Sequence, residues 1–328
     1  MSGAPAAGAG IAAPDTERRA RIIALIRSRG AIVVLAIAAI IASAVFPYFA
    51  TVNNFENIGV AASFVGLVTI GQTFVIILGG FDLSVGSVIG LGSVLAAYAV
   101  PYGWVPALLV PCLAGAAVGL IDGLLIARAG MAPFIVTLAA LLGVRGLDLV
   151  LARSSMVIVH PGLFGQIANG TLLGVGNLIW ILLAGFALAA LVLNRSRFGV
   201  AVFAIGGNEE AARMLGVPVA TVKVATYVLS GTLAGLAGAL LGAHLSSGLS
   251  TAGQGDELRS IAAAVIGGVL LTGGVGTMAG ALSGVLLLGV IENVIDQIGN
   301  LSSYYQNLAS GLFLLMAVLI QIGLVRRS

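Results

Sequence analysis

Long apolar runs dominate this chain, and short polar stretches separate them. The runs are continuous and mostly about 20 residues long, which is the length a helix needs to cross the hydrocarbon core of a membrane. A membrane β-barrel would instead show short strands of alternating polarity. We therefore predict an all-α integral membrane protein with about ten transmembrane helices. The predicted spans are 31–50, 58–78, 83–100, 104–127, 133–152, 177–194, 224–245, 258–271, 277–297 and 306–325.

The basic residues predict how these spans are oriented. With the N-terminus placed in the cytoplasm and ten spans alternating, twelve of the fifteen Lys and Arg residues fall on the cytoplasmic side. This bias is the one that the positive-inside rule describes. The three exceptions are Arg145, Arg153 and Arg259. Both termini are therefore predicted to be cytoplasmic.

The same pattern divides the chain into regions. Residues 1–30 combine an Ala-, Gly- and Pro-rich start with a cluster of arginines, which predicts a disordered, basic cytoplasmic tail. Residues 31–328 form the transmembrane domain. A cytoplasmic loop at 194–223 interrupts this domain and carries several positive charges.

Within the 194–223 loop the sequence predicts a short amphipathic helix. Asn208 can cap its N-terminus, and Glu209 and Glu210 lie in the first turn, where the helix dipole favours anions. Arg213 follows at helical spacing, and Gly216 can end the helix. Such a helix either docks a partner or connects two spans, and the pattern alone leaves both open.

Composition supports the membrane assignment. The chain is 59% hydrophobic and 8% charged, whereas about a quarter of the residues in a soluble globular protein are charged. Glycines recur at helical spacing in three of the predicted spans, a pattern typical of tightly packed membrane helices. These glycines are Gly115, Gly119, Gly123, Gly231, Gly235, Gly238, Gly242, Gly276, Gly280 and Gly284.

The sequence shows no motif for covalent chemistry. It lacks a GxxxxGK[ST] nucleotide loop, a GxSxG elbow and an HExxH zinc motif. Cys112 is the single cysteine, and His160 and His244 stand far apart. The positive charges are dispersed and do not form a nucleic-acid-binding face. We therefore predict no catalytic site, no metal, no cofactor bound by this chain and no nucleic-acid partner.

A few ionisable residues lie inside the predicted spans, where they are energetically costly and often functional. Arg145 and Asp148 are three residues apart, so they can pair on one helix face. Glu292 and Asp296 lie four apart in the ninth span, with Asn293 between them. A proton relay, a polar pore lining and structural pairing all fit these three residues.

Two aspartates and two outer stretches complete the polar pattern. Asp82 and Asp122 fall near cytoplasmic ends of spans, where we expect easy access to water. The outer stretches, 153–176 and 246–257, are short for folded domains. They are suited to contacting a soluble partner, and re-entrant loops would show the same pattern.

Five segments carry a resemblance to a known family. They are GGFDLSVGS at 79–87, PFIVTLAALLGVRG at 133–146, AIGGNEEAARMLG at 204–216, VLSGTLAGLAG at 228–238 and TAGQGDEL at 251–258. In this order they resemble the ribose-type sugar permeases of bacterial ATP-binding-cassette (ABC) importers, in which the first segment typically reads GGIDLSVGS. The similarity runs from about residue 50 to 325. It is carried by several ordered motifs and not by one alone.

The chain departs from that family's pattern at three places. Ser250 stands where the family often has proline, and Val275 stands where it has arginine in Gly-Gly-Arg-Gly. Arg259 replaces an acidic or polar residue. The second change removes a cytoplasmic positive charge, and the third alters an outer loop.

The resemblance implies a division of labour among subunits. Two permease copies, identical or different, would form the pathway through the lipid bilayer of a bacterial inner membrane. A separate cytoplasmic ATPase would bind ATP and Mg, and an extracytoplasmic binding protein would deliver a monosaccharide, either a ribose-like pentose or a hexose. Two alternatives stay open: a permease of the same architecture for nucleosides or branched amino acids, and a proton-coupled carrier built on Glu292 and Asp296.

The resemblance also implies roles for residues. The contact with the ATPase is expected at Asn208, Glu209, Glu210, Arg213, Leu215 and Gly216. The motif of the third span either caps that helix or lines the pathway, and its polar and small residues are Asp82, Ser84, Gly86 and Ser87. Docking of the binding protein is expected at Thr251, Asp256 and Glu257.

Overall fold

The computed structural model describes residues 14–153, 155–158, 162–299 and 304–325. In these ranges the fold is helical, with a few very short strands. The helices are α1 Pro14–Val45, α2 Val52–Ile77, α3 Val85–Ala99, α4 Trp104–Ala127, α5 Pro133–Leu151, α6 Gly162–Asn169, α7 Asn177–Arg195, α8 Arg197–Gly207, α9 Glu209–Met214, α10 Val219–Leu245, α11 Asp256–Ile266, α12 Met278–Ile298 and α13 Tyr304–Val325. A 3-10 turn, Val100–Tyr102, extends α3. Strand β1 (Val157–Ile158) pairs with β4 (Ser247–Gly248), and β2 (Thr171–Leu172) forms a hairpin with β3 (Val175–Gly176).

Seven helices of the described residues are long and apolar enough to cross a membrane: α2, α3 with its 3-10 turn, α4, α5, α7, α10 and α12. The prediction of a helical membrane protein is therefore confirmed. The apolar part of α1, Gly30–Val45, is shorter than these spans. The eighth predicted span overlaps α11, whose 11 residues rise only about 16 Å, roughly half of a bilayer's hydrocarbon core.

The N-terminal region differs from its prediction. Helix α1 begins at Pro14, so the predicted disordered tail of residues 1–30 is helical from that residue onward. The stretch from Pro14 to Gly30 is rich in Arg, which is a strong helix former. Helix formation that starts in the apolar run can therefore extend back through it.

The 194–223 loop is also more helical than predicted. Helix α8 follows α7 almost directly, and the Ser196 hydroxyl caps it by accepting a hydrogen bond from the Gly199 N–H at 3.1 Å. Val202 and Ile205 of α8 are buried. The predicted short helix is α9, and α10 then begins at Val219. The apolar pattern of the sequence does not predict α8, because charged residues on both sides of this helix interrupt it. The serine before this apolar run is nevertheless an N-cap signal.

Helix α10 lies at the centre of the bundle and packs mainly on α4, α3 and α2. Gly115 of α4 and Gly231 of α10 lie backbone against backbone, and a β-carbon on either would collide with the carbonyl oxygen of the other. Gly284 of α12 lies equally close to the Ala263 carbonyl of α11. The prediction that these glycines serve tight packing is confirmed.

The bundle has two distinct ends. At one end, the Gly274 N–H donates to the carbonyl of Ile77, the last residue of α2, at 2.8 Å. The backbone at Gly206 of α8 lies against the same carbonyl. We call this the α9 end. At the other, hairpin end, the β2–β3 hairpin lies beside the first turn of α2, where a β-carbon at Gly176 would come within 3.2 Å of Glu56.

Two non-helical stretches run into the bundle between these ends. After α2, residues 78–84 turn inward, and the Phe81 carbonyl accepts a hydrogen bond from the Tyr227 hydroxyl of α10 at 3.3 Å. After α10, residues 246–255 turn back along α3, where the Leu249 N–H donates to the Ser93 hydroxyl at 3.0 Å. As a result α3 and α11 both begin inside the bundle, and their N-termini lie close together. We call 78–84 and 246–255 the first and second broken stretches, and the pairs that they separate, α2–α3 and α10–α11, the two broken helices.

Candidate functional site

The N-termini of α3 and α11 meet at one arginine. Arg145 of α5 donates through Nη2 to the Gly86 carbonyl at 2.9 Å and through Nη1 to the Ala252 carbonyl at 3.0 Å. Its Nη1 also contacts the Ser250 carbonyl. We call Arg145 and the groups that it contacts the junction. A guanidinium has five N–H donors and no acceptor, so it suits a place where backbone carbonyls cannot reach water.

A buried carboxylate accompanies this arginine. Asp148 Oδ2 lies 3.8 Å from Arg145 Nη1, and the aspartate side chain is fully buried. Among the described residues neither of its oxygens has a hydrogen-bond partner, so it acts as a counter-charge and not as an acceptor. Gly90 of α3 makes room for the pair, since a β-carbon there would lie 2.7 Å from Arg145 Nη1.

Acidic residues occupy the first turn of α11. A β-carbon at Gly86 would collide with the Glu257 carboxylate, so this glycine allows α11 to begin against α3. Asp256 Oδ1 lies 3.5 Å from Arg259 Nη1, and Arg259 Nε lies 3.5 Å from Glu292 Oε1 of α12. Carboxylates in a first turn interact favourably with the helix dipole. The ion pairs therefore connect the start of α11 to α12.

The third-span motif folds around Asp82. Its Oδ1 accepts hydrogen bonds from the Ser84 N–H at 3.0 Å and from the Ser84 hydroxyl at 2.6 Å. The Ser87 hydroxyl donates to the Ser84 carbonyl at 2.7 Å. These contacts are local and form a turn before α3, whose N-cap residue Ser84 makes no side-chain cap hydrogen bond.

The expectation that Asp82 and Asp122 reach water easily is wrong. Both side chains are buried. The connection that carries Asp82 enters the bundle instead of ending at the surface, and α10 covers it with Tyr227 and Ser230. Close packing of α4 on the same part of α10, at Gly123 and Val224, encloses Asp122 as well.

A cavity with both polar and apolar walls opens at the hairpin end and reaches the start of α11. Its volume is about 480 Å³, and it lies between α2, α10, α11, α12 and the segment around Asn169. Asn169 Oδ1 is 2.6 Å from His244 Nδ1, and the His244 ring centroid is 5.6 Å from that of Phe64. The polar lining residues are Glu56, Asn57, Asn169, Thr171, His244, Asp256, Arg259 and Glu292. His160 lies outside the described residues.

The polar residues of α12 separate into two groups. Glu292 pairs with Arg259, whereas Asn293 exchanges two hydrogen bonds with Asn54 of α2, at 3.0 and 2.8 Å. Asp296 accepts a hydrogen bond from Gln306 of α13 at 2.7 Å. Among the hydrogen bonds of the described residues, none joins Glu292 to Asp296, so the two carboxylates are held separately.

Helix α9 is held by two ion pairs on one glutamate. Glu209 Oε1 lies 3.1 Å from Arg213 Nη2, and Glu209 Oε2 lies 2.7 Å from Lys223 Nζ of α10. The hydrogen bond from Lys223 is the main reason that the pKa of Glu209 is lowered from its usual value. Asn208 caps the helix by accepting a hydrogen bond from the Ala211 N–H at 2.9 Å. The ion pair between Glu209 and Lys223 of α10 therefore fixes the position of α9 on the bundle.

The end of α9 presents apolar side chains. Met214 is 78% exposed and Leu215 is 83% exposed. Gly216 has φ +81°, a left-handed conformation that suits glycine after a helix. The sequence had suggested Leu215 but not Met214, although the two are adjacent and the short helix leaves both uncovered.

The residues expected to dock a binding protein differ in how exposed they are in the fold. Thr251 is exposed, whereas the Asp256 side chain is only 13% exposed and pairs with Arg259. Glu257 is partly buried against α3. Docking at these positions stays a prediction. The Arg259 bridge to Glu292 was missed, because nothing in the sequence indicates which helix faces Arg259.

Comparison with known proteins places the chain in a family. Residues 54–320 match the family model described as the permease component of the branched-chain amino acid transport system. The chain is 38% identical over 302 residues to the ribose import permease protein of Escherichia coli K12, covering 90% of this chain and 94% of the relative. It is 39% identical over 308 residues to the ribose import permease protein of Bacillus subtilis 168, covering 93% and 95%.

A further relative carries a different substrate name. The L-arabinose ABC transporter permease protein of Azospirillum brasilense is 36% identical over 297 residues, covering 90% of this chain and 87% of the relative. No solved structure matches the chain. The matched model and these relatives span nearly the whole bundle, including α9, both broken helices and the junction. The chain therefore belongs to the family of membrane-spanning permease subunits of ABC importers.

Proposed function

We propose that this chain is the membrane subunit of an ATP-driven importer and moves a monosaccharide, either a ribose-like pentose or a hexose. The names of the relatives support the substrate class, since they are ribose and L-arabinose permeases. The observation that carries the rest is α9: an ion-paired helix that presents two exposed apolar side chains, Met214 and Leu215, at one end of the bundle. Such a surface suits a contact with another subunit.

In this proposal the α9 end faces the cytoplasm of a bacterium, and the ten spans predicted from the sequence cross or enter its inner membrane. Five basic residues support this orientation, because they lie where helices begin or end near α9: Arg128, Arg195, Arg197, Arg213 and Lys223. Cytoplasmic loops carry such an excess of positive charge. The hairpin end then faces outward, where an extracytoplasmic binding protein would dock.

The energy comes from a separate ATPase, which binds ATP and Mg. Met214 and Leu215 would be the apolar anchors of the contact, and Glu209, Glu210 and Arg213 would surround them with charge. Apolar anchors inside a charged rim are typical of subunit interfaces. A second permease copy, identical or related, would complete the pathway.

The packing suggests how a push on α9 reaches the centre of the bundle. α9 follows α8, whose Gly206 lies against the carbonyl of Ile77 and close to the Gly274 N–H. Ile77 ends α2 just before the first broken stretch, and Gly274 lies in the loop that follows α11. Movement of α8 and α9 would therefore displace both broken helices, which is a hinge-type transition. ATP can drive it only by binding the two states with different affinity.

The test is purification of this chain in mild detergent from cells that also make the ATPase. We expect the ATPase to co-purify with the wild-type chain, and to be lost or reduced at least tenfold with Met214→Glu or Leu215→Glu. A matched control is Leu173→Glu, since Leu173 is 86% exposed at the hairpin end. An ATPase that stays bound to both α9 variants, or a chain that accumulates solute alone under a proton gradient, contradicts the proposal.

An amino-acid importer of the same architecture is the second candidate. It is favoured by the matched family model, whose description concerns branched-chain amino acids. Uptake by the complete transporter in proteoliposomes separates the two candidates. Radiolabelled ribose or arabinose should accumulate when ATP is supplied inside, and leucine should not.

A further inference from the structure

The cavity at the hairpin end has the dimensions of a small-molecule site, and a role for it rests on the proposed function. The cavity volume of about 480 Å³ lies in the range of small-molecule sites, about 300–1,000 Å³. α2, α10, α11 and α12 all contribute to its walls. Because Asp256 lies both in this lining and in the first turn of α11, the cavity reaches the start of α11, four residues after Ala252 of the junction.

The lining combines hydrogen-bond donors and acceptors with an aromatic ring that packs beside one of them, His244. Asn169 and His244 hold each other at 2.6 Å, and Arg259 and Glu292 hold each other at 3.5 Å. Phe64 also lines the cavity. Neutral sugars present hydroxyl groups that both donate and accept, and apolar C–H faces that pack on aromatic rings. This mixture of wall groups matches both features.

The charges of the lining decide which solutes fit. Among the lining residues three carboxylates, Glu56, Asp256 and Glu292, face one guanidinium, that of Arg259. That guanidinium already lies 3.5 Å from two of these carboxylates. An anionic solute would meet net negative charge in a partly desolvated space, which is unfavourable. The carboxylate of an amino acid would likewise lack a cation that is not already paired within this lining.

We propose that this cavity is a low-affinity site for a neutral monosaccharide on its way from the binding protein to the junction, and that its charge excludes phosphorylated sugars and amino acids. Arg259 and Glu292 form its polar floor, and Phe64 forms its apolar wall. Asp256 also pairs with Arg259, so one guanidinium is shared by two carboxylates and the floor keeps a net negative charge. Glu56 adds a further acceptor to the lining. A weak site suits a pathway, because the solute must leave it again.

The test fills the cavity with a tryptophan side chain and compares the effect with that of the same substitution outside the cavity. Ala61 is an exposed residue of α2 that lines the cavity, and Ala61→Trp should block it. Ala187→Trp is the matched control, since Ala187 is exposed on α7 and is not part of the lining. If Ala61→Trp fails to assemble, Asn57→Trp on the same wall replaces it.

Two measurements are made on the complete transporter in lipid nanodiscs or proteoliposomes. ATP-driven uptake of ribose should fall at least tenfold in Ala61→Trp, with ATPase association unchanged, and should stay within twofold of wild type in Ala187→Trp. Saturation-transfer NMR on this chain without the binding protein should show contact with ribose in the wild type and in the control, but not in Ala61→Trp. Ribose 5-phosphate and leucine should give no signal.

The outcomes separate the two proposals. If the wild-type transporter moves no sugar, the proposed function fails, and the NMR comparison still decides the cavity. If the wild type transports ribose but Ala61→Trp transports it equally well, the cavity proposal alone is overturned. Equal NMR transfer to ribose and ribose 5-phosphate would also overturn it, because the carboxylates would then exert no selection.

Discussion

Two arginines of this chain each pair with an acidic residue on the same helix, and the fold treats them very differently. Arg145 and Asp148 are three residues apart in α5, and the aspartate is fully buried. Arg213 and Glu209 are four residues apart in α9, and the arginine side chain is 71% exposed. The spacing is nearly the same, so what distinguishes the pairs is their surroundings.

The difference shows that burial determines what an ion pair does. Inside the bundle Arg145 also satisfies the carbonyls of Gly86, Ser250 and Ala252, so it holds together helices that are far apart in sequence. The Arg213 side chain contacts only Glu209 among the hydrogen bonds and ion pairs of the described residues. The buried pair is therefore structural, and the exposed pair can be rearranged by a partner at little cost.

The strongest test of this contrast removes each arginine. Arg145→Met should lower the free energy of unfolding by about 3–5 kcal/mol, because it leaves a buried carboxylate and three carbonyls without their partner. Arg213→Met should lower it by less than about 1 kcal/mol. Denaturant unfolding of both purified variants in lipid–detergent mixtures measures the two values. An equal loss of unfolding free energy in the two variants would contradict the distinction between a structural buried pair and a weak exposed pair.

A smaller change tests the space that the junction requires. Gly90→Ala places a β-carbon 2.7 Å from Arg145 Nη1 and 2.9 Å from the Ser250 carbonyl, and overpacking of this kind costs about 1–3 kcal/mol. Gly143 of α5 provides the control, since a β-carbon there has nothing within 4 Å. Gly143→Ala should stabilise its helix by about 0.5–1 kcal/mol. The measured free energy of unfolding should therefore be lower than wild type for Gly90→Ala and higher than wild type for Gly143→Ala.

The smallest expected effect concerns pH at the α9 end. The pKa of Glu209 is lowered in the folded state, mainly by its hydrogen bond from Lys223. A lowered carboxylate pKa contributes stability that is fully present above the unfolded-state pKa, about 4.3, and is lost as pH falls through the folded value. Because Glu209 is substantially exposed, we expect this contribution to the free energy of unfolding to be less than about 1 kcal/mol at pH 7.

Lys223→Met should therefore destabilise the protein slightly at pH 7, and the difference from wild type should shrink as the pH falls below 4. Thermal unfolding of both proteins between pH 7 and 3 measures this. A difference that grows as the medium becomes acidic would mean that Lys223 acts through another group. Glu210→Gln serves as a control on the same helix, since Glu210 has no ion pair among the described residues.

The local features of the site followed from the sequence because their causes are local. The Asn208 cap, the Glu209–Arg213 spacing and the pairing of Arg145 with Asp148 depend on residues within one turn of each other. The prediction for Asp82 failed because its burial depends on α10 and α4. Helix α8 was missed because its apolar face becomes evident only against α2 and α10.

By itself, the sequence determined a helical membrane protein, the approximate positions of its helices and the short helix between two spans. The length and periodicity of apolar runs are local properties, and the bilayer imposes them on every segment in the same way. Only the tertiary structure decided that α3 and α11 begin inside the bundle. It also decided that Glu257 packs against Gly86, that Asp148 packs against Gly90, and that Arg145 contacts the starts of both helices. These contacts depend on which helices pack together, and residues 58 to 171 positions apart carry no mutual signal in a single sequence.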